Sequence, residues 1–125
     1  QNGYSATYLR DTALWIRTHA SPNAIIFHAS WSDSPFLFLN NRDQRYLVGM
    51  DPMFAYLADA DHYRRWLAVG RGEVPNPATV IAREFGATHA VVTAEQTALH
   101  DLLARDRHAT SVYADAEATV YEVKP

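Results

Sequence analysis

The residues whose side chains are best suited to bind a ligand or take part in a reaction lie close together in the sequence, between residue 29 and residue 54. We predict a ligand-binding site made of six of them: Trp31, Asp33, Asn41, Arg42, Tyr46 and Asp51. An indole face can stack on a sugar ring or anchor a partner. A neighbouring carboxylate can accept hydrogen bonds from the hydroxyls of that ring. The segment therefore favours recognition of a polar ligand.

The strongest of these candidates also have a structural interpretation. Asp51 precedes Pro52, and Asp33 precedes Ser34-Pro35. A capping residue followed by proline in the first turn is the usual start of a helix. In that interpretation Trp31 only covers the core. The residues alone leave both alternatives open.

Other familiar chemistries find little support. Cysteine is absent, which excludes disulfides, thiolate catalysis and zinc–thiolate sites. Asp59-Ala60-Asp61 resembles the Asp-x-Asp metal motif of nucleotide-sugar glycosyltransferases, but it precedes a helix, where acidic residues complement the helix dipole. The loop after the first predicted strand has no glycine to cradle a phosphate. We therefore expect no catalytic residue, no metal and no cofactor.

Composition points to one globular domain over residues 1–125. Of the 125 residues, 48% are hydrophobic and 20% are charged, which is ordinary for a soluble globule. The formal net charge of -3 gives no basic surface for nucleic acid. The chain begins with Gln1 rather than Met, so we expect it to be a fragment of a larger protein.

Strand and helix patterns alternate along the chain. Apolar periodicity predicts a first helix over residues 5–20 and another over residues 61–69. The cap-plus-proline pattern predicts helices that start at Ser34-Pro35, Asp51-Pro52 and Asn76-Pro77, and Thr93 with Gln96 has the spacing of a capping box. The predicted strands cover residues 23–29, 45–49, 88–93, 111–114 and 119–123.

This order predicts an α/β fold with three layers. We expect a mainly parallel, Rossmann-like sheet of about five strands, with the first strand between the second and the third and a C-terminal antiparallel hairpin. Ligands of such sheets bind beyond the carboxyl ends of the strands. The crevice is therefore expected at residues 28–34, 49–51 and 93–95, with Trp31, Asp33, Asp51 and Glu95 facing it.

Three motifs also carry a resemblance to a known family. The pattern Ala29-Ser-Trp-Ser-Asp33, then Asn41-Arg-Asp-Gln-Arg-Tyr46, then Gly49-Met-Asp-Pro-Met-Phe54 resembles the soluble C-terminal region of multi-spanning bacterial membrane proteins. Those proteins look like glycosyltransferases of the GT-C type, which use lipid-linked sugars. The later Arg83-Glu-Phe-Gly86 continues the likeness.

The resemblance implies a domain on the extracytoplasmic (periplasmic or outer) face of the cell membrane. Its implied partners are the membrane-embedded part of the same polypeptide and a glycan or lipid-linked sugar acceptor. In that family type the catalytic aspartate belongs to a loop among the membrane helices, and nothing here matches that loop. The implied role is therefore non-catalytic.

Two alternatives remain beside this role. One is a free-standing small-molecule-binding domain or enzyme that uses the crevice of Trp31, Asp33 and Asp51. The other is a structural module for protein interaction.

Overall fold

A computed structural model describes residues 9–28 and 60–125, together with the backbone of residues 45–46. The helices are α1 (Arg10–His19), α2 (Ala60–Gly70), α3 (Pro77–Glu84) and α4 (Thr97–Arg105). The strands are β1 (Ile25–His28), β2 (Arg45–Tyr46), β3 (Ala87–Thr93), β4 (Ala109–Ala114) and β5 (Ala118–Val123). The short helices predicted at Ser34-Pro35 and Asp51-Pro52 lie outside the described residues.

The strands form one mixed sheet in the order β2-β1-β3-β5-β4. β1 pairs in parallel with β2 and β3, whereas β5 pairs antiparallel with both β3 and β4. The α/β class, the position of the first strand between the second and the third, and the closing hairpin are thus confirmed. The expectation of a mainly parallel sheet was wrong. β2 contributes only two residues, and the longer strands are joined mostly by antiparallel pairings.

The hairpin explains this difference. Four of the six residues of β5 are buried, namely Ala118, Val120, Tyr121 and Val123. β4 has no buried residue, and several of its residues are exposed. The more apolar strand therefore takes the inner position beside β3, where both faces are covered, and the more polar strand becomes the edge. Placing β5 next to β3 makes both of the last two pairings antiparallel.

Helices cover both faces of the sheet, as a three-layer arrangement requires. Because side chains alternate along a strand, neighbours such as Ala90 and Val91 enter different apolar clusters. On one face α1 packs its buried Ala13 and Ile16 against the sheet. The helices α2, α3 and α4 cover the other face with the buried side chains Trp66, Val69, Ala78, Ile81, Leu99 and Leu103.

Glycines follow the ends of two helices. After α2, the N–H of Gly72 donates to the carbonyl of Val69 at 3.1 Å, and the N–H of Glu73 donates to the carbonyl of Ala68 at 3.0 Å. These two bonds are the Schellman pattern, which needs a left-handed residue. Gly72 supplies it with a φ of 75°. Gly86, which follows α3 and its last capping residue, is also left-handed, with a φ of 66°.

The predicted helix starts are only partly correct. Pro77 is the first residue of α3, as expected, but the Asn76 side chain makes no capping hydrogen bond. Instead, the N–H of Ala78 donates to Oδ2 of Asp106 at 3.1 Å. A carboxylate distant in sequence therefore replaces the predicted local cap.

The predicted capping box is present as one hydrogen bond only. The N–H of Thr93 donates to Oε1 of Gln96 at 3.0 Å. Helix α4 nevertheless begins only at Thr97, so this bond closes the turn that precedes the helix.

Candidate functional site

The carboxyl ends of β1 and β3 lie side by side in the sheet. The two strands are parallel, and His28, the last residue of β1, pairs with Val91 of β3. From β1 the chain continues to β2 on one side, whereas β3 is followed by strands on the other side. The direction of the connections thus reverses between β1 and β3, which is where open α/β sheets bind ligands.

A buried hydrogen bond fixes the point where the chain leaves β1. Trp66 of α2 is buried, and its indole Nε1 donates to the carbonyl of His28 at 2.8 Å. The His28 side chain is fully buried as well. Because this carbonyl is the last of the strand, helix α2 determines where the segment that carries Trp31 and Asp33 begins.

The exit of β3 is held by the hairpin of β4 and β5. The N–H of Ala94 donates to the carbonyl of Glu117 at 3.0 Å. Ala94 and Glu95 are both exposed, whereas Thr93 is buried. Of the four side chains that we expected at the crevice, Glu95 lies within the described residues, and it is exposed.

Most predicted site residues lie outside the described residues, namely Trp31, Asp33, Asn41, Arg42 and Asp51. Tyr46 is the last residue of β2, and its backbone pairs with Ile26 of β1. Tyr46 therefore lies beside Ile26, two residues before β1 ends at His28. The contacts of the predicted side chains stay predictions.

Asp115, in the turn between β4 and β5, is a polar centre that sequence reasoning treated only as part of a turn. Its Oδ2 accepts hydrogen bonds from the hydroxyls of Tyr113 at 2.6 Å and Thr12 at 3.3 Å. Its Oδ1 accepts the backbone N–H groups of Glu117 at 2.8 Å and Ala118 at 3.0 Å. An aspartate before a turn signals the two backbone bonds but not the reach to α1.

These bonds change the protonation of the pair. Partial burial acts to raise the pKa of Asp115, but the four hydrogen bonds stabilise the carboxylate and lower that pKa overall. Burial and the adjacent Asp115 carboxylate raise the pKa of Tyr113 to about 12. Asp115 is therefore ionised and Tyr113 neutral at physiological pH.

A cavity of about 210 Å³ lies at the carboxyl end of β3, between the start of α4 and the tip of the hairpin. It is lined by Val92, Thr93, Ala94, Thr97, His100, Asp115, Ala116, Ala118 and Thr119. Sequence reasoning missed it, although the residues 93–95 were expected at the ligand-binding edge. Thr97 and His100 are three positions apart on α4, a spacing that puts both on one helix face.

The described residues limit the chemistry that can be assigned. Within residues 9–28 and 60–125, no three His, Asp or Glu side chains form a group that could hold a metal ion. None of the helices in these same ranges has the length and apolar character to cross a membrane.

The chain matches no protein-family model, and neither a curated protein nor a solved structure is significantly similar to it.

Proposed function

We propose that the chain is a non-catalytic domain that binds a glycan acceptor or a protein partner at the carboxyl edge of its sheet. The observation that carries the proposal is the order β2-β1-β3 of parallel strands. Because the three strands are parallel neighbours, their last residues, His28, Tyr46 and Thr93, lie toward the same end of the sheet. Two of the segments that follow these strands contain Trp31, Asp33 and Asp51.

The chemistry of these residues supports a glycan rather than a charged ligand. Stacking of one aromatic ring contributes about 0.5–1.5 kcal/mol, and a carboxylate adds hydrogen bonds to hydroxyls. A net charge of -3 disfavours anionic ligands such as nucleic acid. Binding through a single ring is weak, with a Kd on the order of millimolar.

Within a larger protein, we propose that the domain follows membrane spans of a glycosyltransferase-like protein. It would lie on the extracytoplasmic face and help to hold a lipid-linked sugar or its acceptor. This part of the proposal rests on the resemblance of residues 29–54 alone. It predicts apolar spans encoded upstream of Gln1, and a gene that encodes none contradicts it.

The binding proposal is tested by calorimetric titration of the chain with a neutral trisaccharide such as maltotriose. We expect Trp31→Phe and Asp33→Asn each to weaken binding about threefold to tenfold, since each removes one stacking or hydrogen-bonding partner. Trp15→Phe is the matched control, because the Trp15 ring lies against His89 in the first half of β3, with ring centroids 6.2 Å apart. Equal affinities for all variants, or no binding by the unmodified chain, contradict the proposal.

An activity assay distinguishes the binding domain that we propose from the alternative, an enzyme. The isolated chain is expected to turn over no activated sugar donor and to hydrolyse no glycoside. Turnover that Asp33→Ala abolishes would instead support an enzyme that uses the crevice of Trp31, Asp33 and Asp51.

A further inference from the structure

The cavity between α4 and the hairpin tip has a polar lining that the fold does not use. Three threonines, Thr93, Thr97 and Thr119, are among the residues that line it. Its volume of about 210 Å³ is below the roughly 300–1,000 Å³ of sites for drug-sized ligands. It is nevertheless large compared with the roughly 30 Å³ that one water occupies in the liquid. The size suits a ligand of about one ring.

Thr93 is the most enclosed of these three threonines. The residue is only 5% exposed, whereas Thr97 is exposed and Thr119 is half-buried. A threonine hydroxyl can both donate and accept a hydrogen bond, so Thr93 offers a polar group at the inner wall of the cavity.

His100 offers a second directed group. Its Nδ1 lies 3.2 Å from the hydroxyl of Tyr121, which is buried beneath it. The two rings are 5.7 Å apart, so Tyr121 also packs against the imidazole. This contact holds the ring in place and leaves Nε2 to donate to or accept from a molecule in the cavity.

The carboxylate of Asp115 influences which ligand charge the cavity can accept. Its two oxygens accept four hydrogen bonds within the protein, which fills the capacity of a carboxylate. Asp115 is therefore not a partner for a ligand, but its negative charge at the wall disfavours an anion. Hydroxyls and a histidine ring each donate or accept, and this combination matches a neutral ligand with several hydroxyls.

We propose that this cavity binds a neutral polyol of about the size of one sugar ring through Thr93, Thr97, Thr119 and His100. The site does not depend on the function proposed above. β1 pairs with one edge of β3 and β5 with the other, and the cavity lies on the β5 side. Trp31→Phe should therefore leave binding in the cavity unchanged.

The proposal is tested by NMR titration of the isotope-labelled chain with D-glucose and myo-inositol, and with phosphate and acetate as anionic comparators. We expect the polyols to shift the amides of Thr93, Thr97 and Thr119, with a Kd on the order of millimolar. The anions should leave these amides unchanged. Binding of phosphate in place of the polyols contradicts the neutral character of the site, and no shift with any probe contradicts the site itself.

Threonine-to-valine variants assign the contacts, because valine keeps the shape and removes the hydroxyl. Thr93→Val is expected to weaken polyol binding about threefold to tenfold, the value of one hydrogen bond. Thr110→Val is the control, since Thr110 is exposed at the other end of the hairpin and pairs with Glu122. If Thr93→Val does not fold, the half-buried Thr119→Val must show the same loss. Equal binding by the cavity variants and the control overturns the proposal.

Discussion

The carboxylate of Asp115 joins three parts of the chain. It accepts hydrogen bonds from Thr12 on α1, from Tyr113 on β4, and from the backbone of its own turn. Next to it, Oε1 of Glu117 accepts the N–H of Leu9 at 2.8 Å, just before α1 begins. The hairpin turn thus stabilises the start of the first helix with two acidic side chains.

The hydrogen bond from the Tyr113 hydroxyl to Asp115 should make the stability of the fold depend on pH in a specific way. Because the folded pKa of Asp115 is lowered, its contribution is present above the usual pKa of aspartate and is lost as the pH falls through the folded value. Because the folded pKa of Tyr113 is raised from 10.0 to about 12, its contribution is complete below pH 10 and is lost as the pH rises toward 12.

Tyr113→Phe should therefore lower the free energy of unfolding by about 1 kcal/mol between these limits. The difference from the unmodified chain should begin to shrink below about pH 4, the usual pKa of an aspartate, and it should be lost as the pH falls through the lowered pKa of folded Asp115. It should shrink again above pH 10. Urea unfolding measured from acid to alkaline pH gives this free-energy difference in both ranges, the acid limb and the alkaline limb. Tyr121→Phe is the control, since the Tyr121 hydroxyl contacts His100 rather than a carboxylate, and it should leave the acid limb unchanged. A difference that stays constant below pH 4 would show that the bond to Asp115 contributes nothing.

The start of α3 shows how an element depends on residues far away in the sequence. Asp106, just after α4, accepts the N–H of Ala78 with Oδ2 and the N–H of His108 with Oδ1. It also ends α4, where its own N–H donates to the carbonyl of Leu103 at 3.2 Å. One residue therefore finishes one helix and caps another.

This arrangement predicts different costs for two capping candidates. Asp106→Ala should lower the free energy of unfolding by about 1–2 kcal/mol, because it removes the acceptor at the start of α3. Asn76→Ala should cost less than about 0.5 kcal/mol, since the Asn76 side chain makes no capping bond. Asp106→Asn keeps only one of the two acceptor oxygens, so it should restore only part of the loss. Equal costs for Asp106→Ala and Asn76→Ala in urea unfolding would contradict the assignment.

The elements themselves were largely predictable from local signals. The sequence patterns located the described helices and strands because apolar periodicity, proline and glycine act on neighbouring residues. The sheet order β2-β1-β3 followed from the handedness of crossovers. Local signals could not show that Asp106 replaces Asn76 as a cap, since that choice depends on how α4 packs against α3.

Parts of the candidate site could not be predicted from the sequence, for a related reason. The lining of the cavity joins Thr93 and His100 to Thr119, from three elements separated along the chain. No spacing pattern in the sequence indicates that these residues lie close together in the fold. The same holds for Asp115, where the turn was predictable but the contact with Thr12 was not.

At the scale of the whole molecule, several candidate binding features of the described residues lie at one end of the sheet. The exits of β1 and β3, the hairpin turn and the cavity all lie at the carboxyl end of β3. The opposite end of β3 begins at Ala87, directly after the glycine that ends α3. A ligand-binding face at the carboxyl end is therefore the central claim for this protein.

NMR mapping of a bound neutral trisaccharide tests this claim most directly. Maltotriose, titrated into the isotope-labelled chain to about 50 mM, exceeds the millimolar Kd expected for a single stacked ring. We expect the largest amide shifts at residues 28–33, 47–51 and 93–95, with little change at Ala87 and Ala109. Shifts centred on Ala87 and Ala109, or no shifts at all, would contradict it.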